Sequence, residues 1–164
     1  MDAIKRILVP TDFSPHADEA FLAACMLARA TGAEVIVFHV ARPPAVVTEG
    51  GALLAEPSQE PTDLWERLRA YQAGDPPVRV EHEVIVADRP SAAHILEVLD
   101  KLGCDLIVMG SHGRRGLLHR LFGCVTEEVV RQARCPVMVV KAPAPAEEPQ
   151  APAAVPAAAG SDPK

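Results

Sequence analysis

The residues best suited to chemistry lie between Met109 and Thr126. Met109-Gly110-Ser111-His112-Gly113-Arg114-Arg115-Gly116 follows the apolar run Leu106-Ile107-Val108. Glycines at 110, 113 and 116 suit a loop whose backbone must approach a ligand closely. Gly123 then precedes Cys124-Val125-Thr126, where a helix is expected to open. Unbonded N–H groups and the positive end of the helix dipole make such a start a good anion site. Two backbone cradles at the ends of one short connection could hold a polyphosphate. Arg114, Arg115, His119 and Arg120 form a local basic cluster. Clusters of this kind are often solvated surface, but beside two phosphate cradles at least one Arg is expected to neutralise ligand charge.

Outside this segment the candidates are fewer. Asp12 ends the first apolar run, either as a ligand contact or as a turn carboxylate before a Ser14 helix cap. His112 is either a phosphate donor and general acid or polar loop filler. His112, His119 and Cys124 could be drawn as a metal set, but spacings of seven and five match no zinc pattern. Cys25, Cys104, Cys124 and Cys135 show no CxxC and no disulfide framework. The first, second and fourth are expected to be small buried hydrophobes. No G-x-x-x-x-G-K-[S/T] loop and no G-x-S-x-G elbow is present, so hydrolysis is expected to be slow at best.

These residues must be positioned by a domain. Five apolar runs, Ile4 to Val9, Glu34 to Val40, Val78 to Val86, Asp105 to Met109 and Pro136 to Val140, alternate with helical patterns. Four of the five are near-continuous, as parallel strands buried on both faces are. Ala17, Ala20, Phe21, Ala24, Leu27 and Ala28 mark the first helix, with Ser14 as N-cap and Pro15 at its first position. Leu64, Trp65, Leu68 and Tyr71 mark the second, with both aromatics expected in the core. Ala92, Ile95, Leu96, Leu99 and Leu102 mark the third; Val125, Val129 and Ala133 mark the fourth. Gly32, Gly74 and Gly103 follow three of them, where left-handed caps are usual. The order β-α-β-α-β-α-β-α-β predicts an α/β fold: a single doubly wound domain, a five-stranded parallel sheet with helices on both faces. Ligands of such sheets sit beyond the carboxyl ends of the strands, near a switch point. Arg42 to Pro61 is a long connection, read as a mobile flap or an unstructured insertion.

The domain is expected over residues 1–141. Residues 142–164 hold nine Ala and six Pro with Val155 as the one large apolar residue, an expected disordered, solvated tail. The chain carries 16 basic and 22 acidic residues, a formal charge of −6. That balance makes it a poor generic binder of nucleic acid or anionic membranes. No apolar run approaches the roughly 20 residues of a membrane span, and the start resembles no signal peptide, so a cytoplasmic protein is expected.

The glycine spacing carries a resemblance. Gly110, two residues, Gly113, nine residues and Gly123 resemble the G-x2-G-x9-G-[S/T] nucleotide motif of the universal stress protein family. Ile7-Leu8-Val9-Pro10-Thr11-Asp12-Phe13-Ser14 is similar to its first strand and turn, and Phe38-His39-Val40 to the end of its second strand. Cys104 to Gly113 resembles its fourth strand and loop, and Cys135 to Val140 its last strand. The resemblance implies a Rossmann-like, adenine nucleotide alpha hydrolase-like fold and a homodimer formed through the last strand. In the glycine-motif subclass it also implies ATP, with Mg as the metal it could carry. Carried onto this chain, Asp12 would meet the ribose or a metal-phosphate group, and Pro10 and Thr11 would line the adenine side. Val40 would read adenine through its backbone, and Met109 would pack on the nucleoside. Gly110, Gly113 and Gly123 would admit phosphates, Val125 and Thr126 would continue the cradle, and His112 and Arg114 would lie beside it.

Two positions depart from the pattern. Cys124 stands where Ser or Thr is expected, replacing a hydroxyl by a weak donor while keeping the backbone N–H. A thiol at a helix start could alternatively be a redox site. Asp88 stands where the family often has Gly before x-Pro. The expected function is a nucleotide-binding stress-response or signalling module. The alternatives are a slow ATPase or self-phosphorylating enzyme using His112 or Thr126, and a regulatory dimer that no longer binds nucleotide.

Overall fold

The structure, a computed structural model, describes residues 3–41, 45–47, 53–55, 62–74, 77–87, 90–112 and 122–142. Strands β1 (Arg6–Thr11), β2 (Glu34–Ala41), β5 (Val80–Val86), β6 (Leu106–Gly110) and β7 (Val137–Val140) form one parallel sheet in the order β5-β2-β1-β6-β7. Helices α1 (Pro15–Thr31), α2 (Thr62–Arg69), α3 (Ser91–Leu102) and α4 (Cys124–Gln132) connect them. The predicted five-stranded α/β architecture is therefore observed.

Period-two alternation explains both cores. Ile7, Val9, Val35, Val37, Leu106 and Val108 pack with α1 residues such as Phe21 and Ala24 and with Leu68 of α2. Leu8, Ile36, Phe38, Ile107 and Met109 point the other way and pack on Ala92, Ile95 and Leu99 of α3 and Val129 of α4. With both faces covered, the central strands have no solvent face on which polar residues would alternate. The chain winds outward from β1 in one direction through β2 and β5, then crosses to β6 and β7. The switch point thus lies between β1 and β6.

Proline 10 helps open that crevice. Arg6 O accepts the Asp105 N–H at 2.9 Å, so even-numbered residues of β1 turn their backbone groups towards β6. Pro10 has no N–H to offer on that side. The β1–β6 register is Ile7 with Leu106 and Leu8 with Ile107, whereas β1 stays paired with β2 as far as Thr11. The first strand therefore does not stop before Pro10, as its apolar run suggested. It continues two residues further, held from the β2 side alone.

Other differences from expectation have local causes. Ser14 caps α1, accepting from Ala17 N at 3.4 Å, and Gly32 and Gly103 take left-handed conformations at φ 75° and 62°. Gly74 does not cap α2, since the helix ends at Arg69 and Gly74 has no positive φ. Tyr71 leaves the helix and turns its side chain towards α1. Trp65 is 37% exposed, because Leu64 and Leu68 occupy the inward positions of this short helix. Within the 42–61 connection, β3 (Ala45–Val47) and β4 (Leu53–Ala55) pair antiparallel, so the insertion is not structureless.

Candidate functional site

The carboxyl edge of the sheet brings together the end of β1, the end of β6 and the start of α4. Gly110 closes β6 against the first turn of α1. A Cβ there would stand 2.8 Å from the carbonyl carbon and Cβ of His16. The immediate reason for this glycine is thus helix-to-strand packing, rather than only room for a phosphate.

Two hydrogen bonds fasten α4 to the same edge. Thr126 Oγ1 donates to Gly110 O at 3.0 Å, and Gly123 N donates to Ser111 O at 2.8 Å. Thr126 is buried, so its hydroxyl acts as a clamp on β6. The Gly123 amide, expected to face phosphate, is occupied by Ser111. The first bond within α4 runs from Glu127 N to Gly123 O at 2.9 Å, so the amides of residues 124–126 precede every intrahelical acceptor. An anion at this helix start would address the amides of Val125 and Thr126 and not that of Gly123. No side chain caps the helix at Gly123. Ser111 N in turn donates to Val140 O at 2.7 Å, tying this loop to β7.

The β1 loop is equally fixed. Asp12 Oδ1 accepts from Ser14 N at 3.2 Å, so the turn role anticipated for this carboxylate is observed. Phe13 between them has φ 60°, in the left-handed region that non-glycine residues seldom occupy. Thr11 is buried. Its Oγ1 accepts from Phe13 N at 3.0 Å and lies 2.9 Å from Tyr71 Oη. Its carbonyl lies 2.8 Å from His39 Nδ1, and since a carbonyl only accepts, that ring nitrogen carries the proton. Tyr71 Oη donates to Asp18 Oδ1 at 2.5 Å. Burial, and then this bond to Asp18, push the Tyr71 phenol well above its usual range.

Pro10 and Phe38 are register partners and share the α3/α4 face of the sheet, which Val40 also adjoins. Met109 was expected to pack on the nucleoside. It is 5% exposed and its side chain is packed in the α3/α4 core. Thr11 likewise turns its hydroxyl to Tyr71 on the opposite face. The His112 ring stands edge-on to His16 with centroids 5.7 Å apart, and its Nδ1 lies 3.1 Å from Ser111 Oγ. Cys124 is exposed and Val125 partly buried. Cys25 and Cys104 are buried, as expected of small hydrophobes, and Cys135 is intermediate. Burial pushes the Cys104 thiol up to about 11. Gly113, Arg114, Arg115, His119, Arg120 and Asp88 lie outside the described residues. Among the described residues no three metal-ligating side chains gather. No helix among them is long and apolar enough to cross a membrane.

Sequence reasoning missed His16, Asp18, His39 and Ser111 as parts of this edge, and missed the Tyr71 hydroxyl. His39 carried a signal, being the one polar residue inside the apolar run Val35 to Val40. The others form contacts between distant segments that no local pattern marks.

Comparison with known proteins places this geometry. Residues 3–141 match the profile of the universal stress protein family. Universal stress protein MJ0531 of Methanocaldococcus jannaschii is 35% identical over 147 residues, covering 85% of this chain and 83% of the relative. A crystal structure of a universal stress protein in complex with cAMP superposes with TM-score 0.63 at 24% identity, covering 87% of this chain and 100% of the other. The universal stress protein from Archaeoglobus fulgidus in complex with dAMP gives TM-score 0.61 at 22% identity, covering 85% and 100%.

Proposed function

The chain belongs to the universal stress protein family, and from that premise we propose that it binds ATP at the carboxyl edge of its sheet and acts as a stress-response module. The observation that carries this reading is the fastening of α4 to β6. Thr126 and Gly123 bring the helix start, with the leading amides of Val125 and Thr126, beside Gly110 and Ser111 at the switch point. Such an edge suits an anion. The cAMP and dAMP complexes of two similar folds support an adenine nucleotide as the bearer of that anion.

In this reading the helix start at Cys124, Val125 and Thr126 meets phosphate, and Gly113, His112 and Arg114 are the further proposed contacts. Pro10 and the backbone of Val40 flank adenine on the α3/α4 face. Asp12 meets the ribose, or a Mg ion carried in with the nucleotide. A carboxylate beside phosphates is favourable only with such a cation or a hydroxyl partner between them. The thiol of Cys124 does not replace the hydroxyl that the motif expects, so affinity is lower than a Ser would give.

We place the protein in the cytoplasm as a homodimer. Among the described residues strand β7 pairs with β6 on one side only, and Met138 on it is 40% exposed. An open edge of this kind calls for a cover, and a second β7 is the proposed one. Residues 1–141 act as the nucleotide-binding domain and 142–164 as a spacer. Self-phosphorylation at Thr126 is disfavoured, because its hydroxyl is buried and donates to Gly110 O.

The test is to denature freshly purified protein, never supplemented with nucleotide, and identify what is released by mass. ATP or ADP in near-stoichiometric amount is expected. Protein that releases none and gives no heat with millimolar Mg-ATP would favour the nucleotide-free regulatory dimer.

A further inference from the structure

Tyr71 lies on the α1/α2 face of the sheet, behind the edge proposed to hold nucleotide. Its hydroxyl nevertheless reaches that edge through a chain of hydrogen bonds whose direction can be worked out. Asp18 Oδ1 accepts from Tyr71 Oη, which fixes the phenol proton on Asp18. The contact of 2.9 Å between Thr11 Oγ1 and Tyr71 Oη must then be donated by Thr11. Thr11 Oγ1 keeps a lone pair for the Phe13 N–H at 3.0 Å. The relay runs Phe13 N–H to Thr11 O–H to Tyr71 O–H to the Asp18 carboxylate, each donor polarised by the next acceptor.

The relay ends on the strained residue of the loop. Phe13 at φ 60° is in a conformation unfavourable for a residue with a Cβ. Something must hold it there. The relay holds its amide, and its ring is held as well. The Arg67 guanidinium carbon stands 4.2 Å from the ring centroid, and the His39 ring centroid is 4.6 Å away. Asp12 and Ser14 flank Phe13, so the direction of the Asp12 carboxylate follows from the conformation of Phe13.

We infer that Tyr71 is a positioning residue of the nucleotide site: through Thr11 and Phe13 it sets the Asp12 turn from the opposite face of the sheet. This rests on the proposed nucleotide reading for its effect on affinity, though not for its effect on the turn. It links α2 and the segment leading out of it to the state of the site.

Tyr71→Phe tests this, because it keeps the ring that meets Phe21 edge-on at 5.0 Å and removes only the hydroxyl. Two readouts are needed: ATP affinity by titration, and the Phe13 backbone angle from its three-bond amide–α-proton coupling. The expected result is an affinity about tenfold weaker, the loss of one hydrogen bond's worth of preorganisation, with a changed Phe13 coupling. Asp18→Asn, which keeps an acceptor, should bind within about twofold of the parent. Asp18→Leu should bind as weakly as Tyr71→Phe, and the two together no more weakly than either. Unchanged affinity and coupling in Tyr71→Phe would overturn the inference, as would losses that simply add in the double variant. If the parent binds no ATP yet its Phe13 coupling moves in Tyr71→Phe, the nucleotide reading fails while the positioning of the turn stands.

Discussion

The two edges of the sheet are built in different ways. At the amino edge, charges do the holding. Asp105 Oδ2 accepts from Lys5 N at 2.8 Å and Arg6 N at 2.9 Å, and Arg6 pairs with Glu34 at 2.6 Å while also reaching Leu102 O at 2.7 Å. A hollow of about 480 Å³ beside it is lined by Lys5, Arg29, Glu34 and Arg79 among others. At the carboxyl edge the holding is done by buried hydroxyls, a close glycine contact and a strained Phe13, with the Asp18 carboxylate ending the hydrogen-bond chain and Arg67 over the Phe13 ring. That hollow lies away from the proposed site. Exposed ion pairs contribute little and tolerate change. Buried, interlocked hydrogen bonds do not. The carboxyl edge is the one whose geometry must be kept within tenths of an ångström, as a ligand site requires.

Substitutions should expose this contrast. The largest effect is expected from Gly110→Ala, since the new Cβ would sit 2.8 Å from His16 backbone. Either β6 or α1 must shift, at about 1–3 kcal/mol, and a melting curve should fall by several degrees with nucleotide affinity lost as well. Thr126→Val removes the clamp and leaves the Gly110 carbonyl without that donor, for about 1–2 kcal/mol. ATP titration should weaken alongside it. Stability falling while affinity stays constant would separate the clamp from the site. Cys124→Ser restores a stronger donor at the helix start, and a gain of a few-fold in ATP affinity with unchanged melting is expected.

The smallest effect belongs to the amino edge. The Lys5 and Arg6 amides hold the Asp105 carboxyl below its usual range, so its ionised form is favoured by folding. That contribution is fully present above the unfolded value of about 3.9 and is lost as pH falls through the lower folded value. Asp105→Asn should therefore melt slightly earlier than the parent near neutral pH, with the gap closing below about pH 4. A gap that persists or widens in acid would show that the carboxylate charge is not its source.

What the sequence made legible was whatever rests on local pattern. Continuous runs such as Leu106 to Val108 announced strands with both faces covered, and Ser14-Pro15 with Gly32 bracketed α1 at its observed ends. The segments of the carboxyl edge followed from the β-α order alone. The reading failed where distant side chains decide. Tyr71 bonds Thr11 sixty positions away and leaves the helix that its spacing suggested. Gly110 was singled out for a ligand, yet the neighbour that demands it is His16. The β3–β4 hairpin was missed because two strands of three residues are too short to show a period.

The central claim is that the α4 start and the ends of β1 and β6 together hold ATP. Isothermal titration of purified, nucleotide-stripped protein with millimolar Mg-ATP tests it most directly. Saturable heat with one nucleotide per chain, reduced in Thr126→Val, is the predicted result. No heat above dilution in the folded parent protein would contradict it.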